Sequence, residues 1–507
     1  MGVTVTQAAG APARPARRLA GAVLAPPRRS GACRAAFGWL MTLVLLIPDG
    51  VGVRNFVLGP FLREASRRQH VDVLHGIPDP IMQRLSPALP DRWVEWHPLR
   101  SPEGRRVEDF LRNALGYAHM AWARTGLMNL WLLQPIPATT WRRWALTATA
   151  RMVGRAAAFP GGIRILDRAH RWAARRGVAV EHYRHLLRRL KPSVLFCTHQ
   201  RPPQIVAPVM AARSLGIPTA TFIFSWDNLS SKARIAAPFD HFLVWSELMK
   251  DELLRYYPDV SADRVHVVGT PQFEPYADRR LIWPREEFFR HIGGDSSRPL
   301  ICYTGADPGT CPGDPIYVRT LLDLIRTGAI EGRPQVLLRP TPVDVGTRYD
   351  QVRADYPELL YARPAWVHPE HGGTWANVMP LPEDVQFLAN LTHHSDMNIN
   401  WASTVTLDFA LHDKPVINVA FDVLTPPPRG VPAWELYELS EHYRPVISLG
   451  AVRLARSGPE LATHVNAYLA DPGRDRVARR QLSELEIGYP MGGSSGRIIE
   501  VLEEISR

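Results

Sequence analysis

Cysteine is scarce. Four residues in 507 (Cys33, Cys197, Cys302 and Cys311) lack the short, regular spacing of a disulfide framework or a zinc site. Three of them fall in or beside segments that read as strands, where a buried thiol serves as a small apolar residue. A stapled secreted scaffold and a structural metal are therefore excluded, and a reducing compartment is expected. A long apolar run is missing too. The best stretch, AAFGWLMTLVLLI (Ala35–Ile47), is shorter than the ~20 residues a spanning helix takes. It follows several arginines, as the core of a signal peptide would. It then runs straight into a βα unit without a small-residue cleavage site, so a buried strand and a cytoplasmic protein are expected. Acidic residues are outnumbered, 49 against 60 Lys and Arg, for a formal net charge of +11. Such a balance favours an anionic partner without choosing between nucleotide, nucleic acid and lipid.

What is present is the composition of a globular protein, 46% hydrophobic and 21% charged, in a chain long enough for two cores. Residues 1–36, rich in Ala, Arg, Pro and Gly and without periodicity, read as a disordered basic tail. The order strand (Thr42–Ile47), loop with Gly50 and Gly52, helix, strand (Val71–Leu74) predicts a right-handed crossover of a parallel sheet. Residues 85–190 read mainly as helix, with RVEDFLRNALGYAHMAWARTGLMNLWLL as one helical pattern. Strand signals return at SVLFCTH, PTATFIFS, HFLVW and RVHVVGT. A charged, aperiodic stretch at 276–297 reads as a linker. A second α/β series then runs through PLICYTGA, PQVLLRPTP, LLYA, DMNIN and VINVAFD, and helices follow from Ser457. The expected fold is α/β: two doubly wound, Rossmann-like domains facing a central cleft. Residues 37–275 form the N-terminal acceptor-side domain, with its helical insertion at about 85–190. Residues 298–480 form the C-terminal nucleotide-binding domain, and 481–507 a helix packing back across the cleft.

The densest chemistry lies in NINWASTVTLDFALHDKPVINVAFD (Asn398–Asp422). A strand ends in the turn Trp401–Ser403, and a helix begins at Thr404. A helix start at a strand's carboxyl end offers free N–H groups and positive potential to a phosphate. Ser403 and Thr404 add hydroxyls, and Asp408 is placed for a sugar hydroxyl. A capped helix explains the same residues, but Thr304, Gly305 and Arg339 close neighbouring strands and can converge on the same anion. In the first half, Asp49, Gly50 and Gly52 stand at the mouth of the first strand, where a tight βα turn explains the glycines as well. His199 closes the strand SVLFCTH, and Asp227 and Asn228 close the next. Transfer to a hydroxyl needs a base, and Asp49, His199 and Asp227 are the three candidates. Asp227 is read as structural or acceptor-binding, and Asp49 or His199 as the base.

The segments LICYTGA, VLLRPTP, NWASTVTLDFALHDKPVINVAFD and the tail HYRPVISLGAVRLARSGPELATHVNAYLADPGRDRVARRQLSE resemble the donor domain of GT-B glycosyltransferases. The likeness is to the group of CDP-glycerol glycerophosphotransferases and capsule-polysaccharide transferases, over residues 240–500. It implies that Ser403, Thr404 and Asp408 serve the phosphates and sugar of a nucleotide-sugar donor, with Arg339 on the phosphates. The acceptor would be a surface polysaccharide, lipid-linked or other glycoconjugate. No cofactor is expected, and no DxD-like pair stands in a metal-binding context, so metal independence is predicted. The sequence departs from the group at Thr341, where histidine often precedes proline. The alternatives are a CDP-glycerol or polyol-phosphate transferase, a sugar-nucleotide epimerase, and an inactive scaffold in a biosynthetic assembly. Nucleic acid is rejected as a partner for want of any binding module.

Between Trp141 and Lys191 there are thirteen Arg or Lys and two acidic residues, interleaved with tryptophan and leucine. That is the pattern of helices lying on an anionic membrane, or of a solvated basic face packed by its apolar side. Near the C-terminus, Ser494, Ser495 and Arg497 could approach phosphate, although a helix cap explains them.

Overall fold

In the computed structural model the described residues are 41–507, apart from 91, 101–105, 137–139, 345–346, 370–373 and 490. The tail 1–36 and Cys33 lie outside them.

The uninterrupted apolar run Leu43–Ile47 makes up all but the first residue of β1 (Thr42–Ile47) and is covered on both faces as a central parallel strand requires. It pairs in parallel with β2 (His70–His75) and β4 (Val194–Cys197). With β3 (Val94–Pro98), β5 (Thr219–Phe222), β6 (His241–Val244) and β7 (Val265–Val267) it makes a seven-stranded sheet in the order β3-β2-β1-β4-β5-β6-β7. The second sheet holds β8 (Leu300–Thr304), β9 (Gln335–Arg339) and β10 (Leu360–Tyr361). After a two-stranded antiparallel ribbon, β11 (Trp366–Val367) with β12 (Met379–Pro380), it adds β13 (Met397–Asn400), β14 (Val416–Val419) and β15 (Arg453–Ala455). Its order is β10-β9-β8-β13-β14-β15, again with every pairing parallel. In each sheet the chain winds outward, returns and winds the other way. The strand order therefore reverses between β1 and β4 and between β8 and β13, where a crevice opens beyond the strand ends.

Three sequence expectations need correction. The stretch 85–190 is not all helix: Val94–Pro98 is an edge strand whose polar, partly exposed residues hid it. The single helical pattern from Arg106 breaks in two, Arg106–Ala123 and Gly126–Leu133. Arg124 takes a left-handed φ of 54°, and the Thr125 hydroxyl caps the new helix at Met128 N. Third, the loop holding Gly50 and Gly52 is itself the first turn of a helix.

Helices Trp141–Ala156, Pro160–Ala174 and Val178–Leu190 complete the insertion between β3 and β4. Its second helix reaches across to the other sheet, where Leu127 and Leu130 pack in the core with Tyr317, Trp401 and Leu436. Gly126 permits this, because any Cβ there would lie 2.5 Å from Leu439 O. The helix Ser494–Ile505 packs beside Pro60–Arg68 of the first sheet's layer. Its Ser495 N–H and hydroxyl both donate to Glu274, and Arg497 donates to Val268 O, so these groups serve the fold at the helix start.

Candidate functional site

At the first crevice Asp49 follows β1 in extended backbone, and its carboxylate divides its work. Oδ1 accepts from Gly52 N at 3.0 Å and caps the new helix, while Oδ2 takes His199 Nδ1. His199 arrives from the carboxyl end of β4, β1's neighbour across the switch point. Phe224, just beyond β5, stacks on its ring at 4.0 Å with planes 12° apart. The next residue fixes both loops: Gln200 donates to Asn228 Oδ1 and accepts from Phe224 N. A carboxylate on Nδ1 selects the tautomer that leaves Nε2 with its lone pair, and Nε2 is buried without a protein partner. Edge, face and chain are all held, and one basic nitrogen is left free.

Of the three candidate bases the structure thus unites Asp49 and His199. Asp227 stands apart with Ser231, Asn228 and Lys232. Burial would raise its pKa, but Lys232, His442 and hydroxyl donors outweigh that and hold it well below the usual carboxylate range. Such an anion is engaged rather than poised to take a proton. Arg201, two residues past His199 and close to Asp227, Tyr257 and Asp49, has its pKa lowered by burial. Sequence reading passed over Gln200 and Arg201, although both stand in the CTHQRPPQ segment that flagged His199. Phe224 gave no polar signal at all.

At the second crevice Asn398, Asn400 and Asn418 form a buried ladder. Asn398 donates to Cys302 O and Thr304 Oγ1, Asn400 to Asn398 and Thr406, and Asn418 to Asn400. Asn400 Oδ1 also accepts from Ser403 N, which fixes the turn Trp401–Ser403. Alternation put these asparagines on one face, and their polarity disguised that the face is core. Gly305 N donates to Arg339 O at 2.9 Å. Arg339 Nη2 pairs with both oxygens of Asp384, and its buried Nη1 has no protein partner. Asp408 is buried and accepts from the Tyr276 phenol, and burial raises its pKa. A small, half-open cavity of about 30 Å³ lies at the carboxyl ends of β8, β13 and β14, lined by Thr310, Cys311, Trp401, Asp422 and Arg429 among others. Arg429 donates to Thr310 Oγ1 and lies over the Trp131 ring at 5.3 Å. Its loop carried no recognisable sequence signal.

The two crevices touch. Trp226 Nε1 donates to Thr404 Oγ1 at 3.2 Å, which leads the turn at Ser403 back to the loop that carries Phe224. Gly50 lies under the ribbon: a Cβ there would meet Val378 O at 2.0 Å. Gly50→Ala is expected to push the ribbon off the first helical turn and destabilise the protein by about 1–3 kcal/mol. Urea unfolding against wild type measures this, and an unchanged midpoint would refute the close approach.

Among the described residues one group has metal-ligand spacing: His70, Asp72 and Glu95. His70 pairs with Thr42, at the opposite end of β1 from Asp49, so it belongs to neither crevice. Cys197, Cys302 and Cys311 are free, buried thiols whose pKa values burial raises, to about 12 for the first two.

No family model matches the sequence, and no curated protein matches it. Solved structures do. UDP-GlcNAc 2-epimerase from Neisseria meningitidis, bound to UDP-GlcNAc, aligns with a TM-score of 0.50 and 12% identity, over 92% of this chain and all of that one. A putative UDP-N-acetylglucosamine 2-epimerase from Listeria monocytogenes aligns at 0.51 and 10% identity, over 92% and 96%. A further UDP-N-acetylglucosamine 2-epimerase gives 0.51 and 12%, over 91% and 95%. The fold is GT-B. At these identities the likeness extends to architecture, and the chemistry must come from the residues. No helix among those described is long and apolar enough to cross a membrane.

Proposed function

We propose that this GT-B protein is a glycosyltransferase that uses a nucleotide-sugar donor, with His199 as the base for the acceptor hydroxyl. The observation that carries the reading is the Asp49–His199 pair at one switch point, with Nε2 unpartnered. The donor nucleotide would occupy the second crevice, its phosphates at Ser403, Thr404 and the free Nη1 of Arg339, and its base against the open face beside Trp401. Thr304 and Gly305 would form the wall, and Asp408 would take a sugar hydroxyl once Tyr276 yields it. Nε2 accepts the acceptor's proton as its oxygen attacks the anomeric carbon. The carbon–phosphate-oxygen bond breaks, and the nucleotide leaves with the electron pair. Oriented dipoles and the arginine stabilise that charge. Such a single displacement inverts the anomeric carbon. The acceptor is a surface polysaccharide, lipid-linked or other glycan hydroxyl.

A thermal-shift series with UDP, GDP, CDP, CMP, dTDP and their sugars, with and without magnesium, tests the donor site. A nucleotide at a hundred times its Kd stabilises by about 2.7 kcal/mol. One nucleotide should stand out, and Ser403→Ala/Thr404→Ala should abolish its effect. CDP alone would move the assignment to polyol-phosphate transfer. No response to any nucleotide would leave a scaffold without a donor site.

A further inference from the structure

Among the described residues, eleven of the eighteen large hydrophobic side chains that stand exposed fall between Val107 and Val178, within the helical insertion. Single exposed apolar residues are ordinary, but their concentration in one insertion, aligned along helix sides, marks a surface that something covers. On the helix Trp141–Ala156 three of the four form a stripe, with Leu146 on the other side. Trp141 (75% exposed), Trp144 (55%) and Met152 (64%) recur at helical spacing, and Phe159 (53%) continues them past the helix end. On Pro160–Ala174, Ile165 and Trp172 stand out seven residues apart, again on one side. Arginines border both stripes, with Arg142 over the Trp141 ring at 5.7 Å and Arg176 over the Trp172 ring at 3.5 Å. The two acidic residues between Trp141 and Lys191 are already paired, Asp167 with Arg171 and Glu181 with Arg184, and Arg164 faces Asp259, which leaves most of the segment's thirteen basic side chains without an acidic partner on it.

We infer that this face of the insertion docks the protein on a bilayer rich in anionic phospholipid. The tryptophans and Phe159 would sit at headgroup depth and the arginines on lipid phosphates. Tryptophan suits that boundary because it joins a large apolar ring to one polar N–H, and stacked guanidinium groups keep their charge beside it. Apolar stripe and basic flanks together match an interfacial helix, and the charge complements an anionic surface. The preceding helix, Gly126–Leu133, carries the Trp131 that lies under Arg429 at the second crevice, so docking would bring lipid within one helix of that cavity. The inference stands on exposure and charge, independently of the donor chemistry.

The test is co-sedimentation of the full chain with vesicles of phosphatidylcholine, alone or mixed with phosphatidylglycerol. The chain should pellet with the mixed vesicles, less so as salt rises. Trp141→Ser/Trp144→Ser should weaken partitioning about tenfold. Arg142→Glu/Arg143→Glu should remove the preference for phosphatidylglycerol. All four positions are exposed, and an unchanged melting temperature verifies the fold. Absence of binding to either vesicle, or tryptophan variants that bind like wild type, would overturn the inference. So would a dimer in sedimentation velocity that the tryptophan substitutions dissolve, since the stripe would then cover a second copy.

Discussion

His199→Ala is expected to lower turnover by about 100- to 10,000-fold, the usual contribution of a positioned acid–base group, with nucleotide binding retained. The expectation follows from the geometry. Asp49 holds Nδ1, Phe224 holds the ring face, and Nε2 alone remains for substrate. The alanine variant removes the base but leaves Asp49 capping Gly52, so the first turn of the helix should survive.

Asp49→Asn is the sharper form of the same experiment. Asparagine caps a helix as well as aspartate does, so the bond to Gly52 N can persist. The amide, however, no longer stabilises an imidazolium, and it can present N–H to Nδ1 and reverse the tautomer. Turnover should again fall about 100-fold or more, with the melting temperature within a few degrees of wild type. Initial rates with a donor chosen from the nucleotide series, at saturating acceptor, read both variants. Full activity in either would assign the pair to structure. A loss in His199→Ala alone would leave Asp49 only as a cap.

The fold was legible because its strands are buried on both faces. Their cores LVLLI, LICY and VLL are apolar without interruption, so the parallel crossovers follow from pattern alone. The edge strands Val94–Pro98 and Arg453–Ala455 were not legible, since half-exposed edges carry mixed polarity. In the candidate site the polar strand ends declared themselves: Asp49 and His199 were nameable from position. Their pairing was not, because 150 residues separate them and the crossover that joins β1 to β4 is a matter of strand order. Phe224 and the Asn398–Asn400–Asn418 ladder stayed hidden for a related reason. An aromatic at a strand end reads as core, and asparagines in a strand read as surface, until the register shows what each faces.

Arg339→Ala is expected to destabilise the protein by about 3–5 kcal/mol, because it strands a buried carboxylate. Asp384, 2% exposed, accepts from Arg339 and also from Ala365 N and Trp366 Nε1 at 2.8 Å each. Burial alone would raise its pKa, but Arg339 and these donors outweigh burial and hold it below the usual carboxylate value. Its contribution to stability is therefore present above the unfolded pKa and is lost as pH falls through the lower folded one. Without Arg339 burial prevails and the folded pKa rises instead. The penalty is then full at neutral pH and is relieved as the carboxyl protonates, so the gap between wild type and variant in urea unfolding should narrow on acidification. A gap that stays constant with pH would show that the cost comes from lost packing against Phe387, which lies 5.4 Å from the guanidinium carbon. Arg339→Ala/Asp384→Ala separates fold from function. Removing both charges should recover most of the stability. If Nη1 serves donor phosphate, the double variant will fold yet bind nucleotide roughly ten- to a hundredfold more weakly, as the loss of a charged hydrogen bond requires. A double variant that recovers both stability and binding would make Arg339 a partner of Asp384 and nothing more, leaving the phosphates to Ser403 and Thr404.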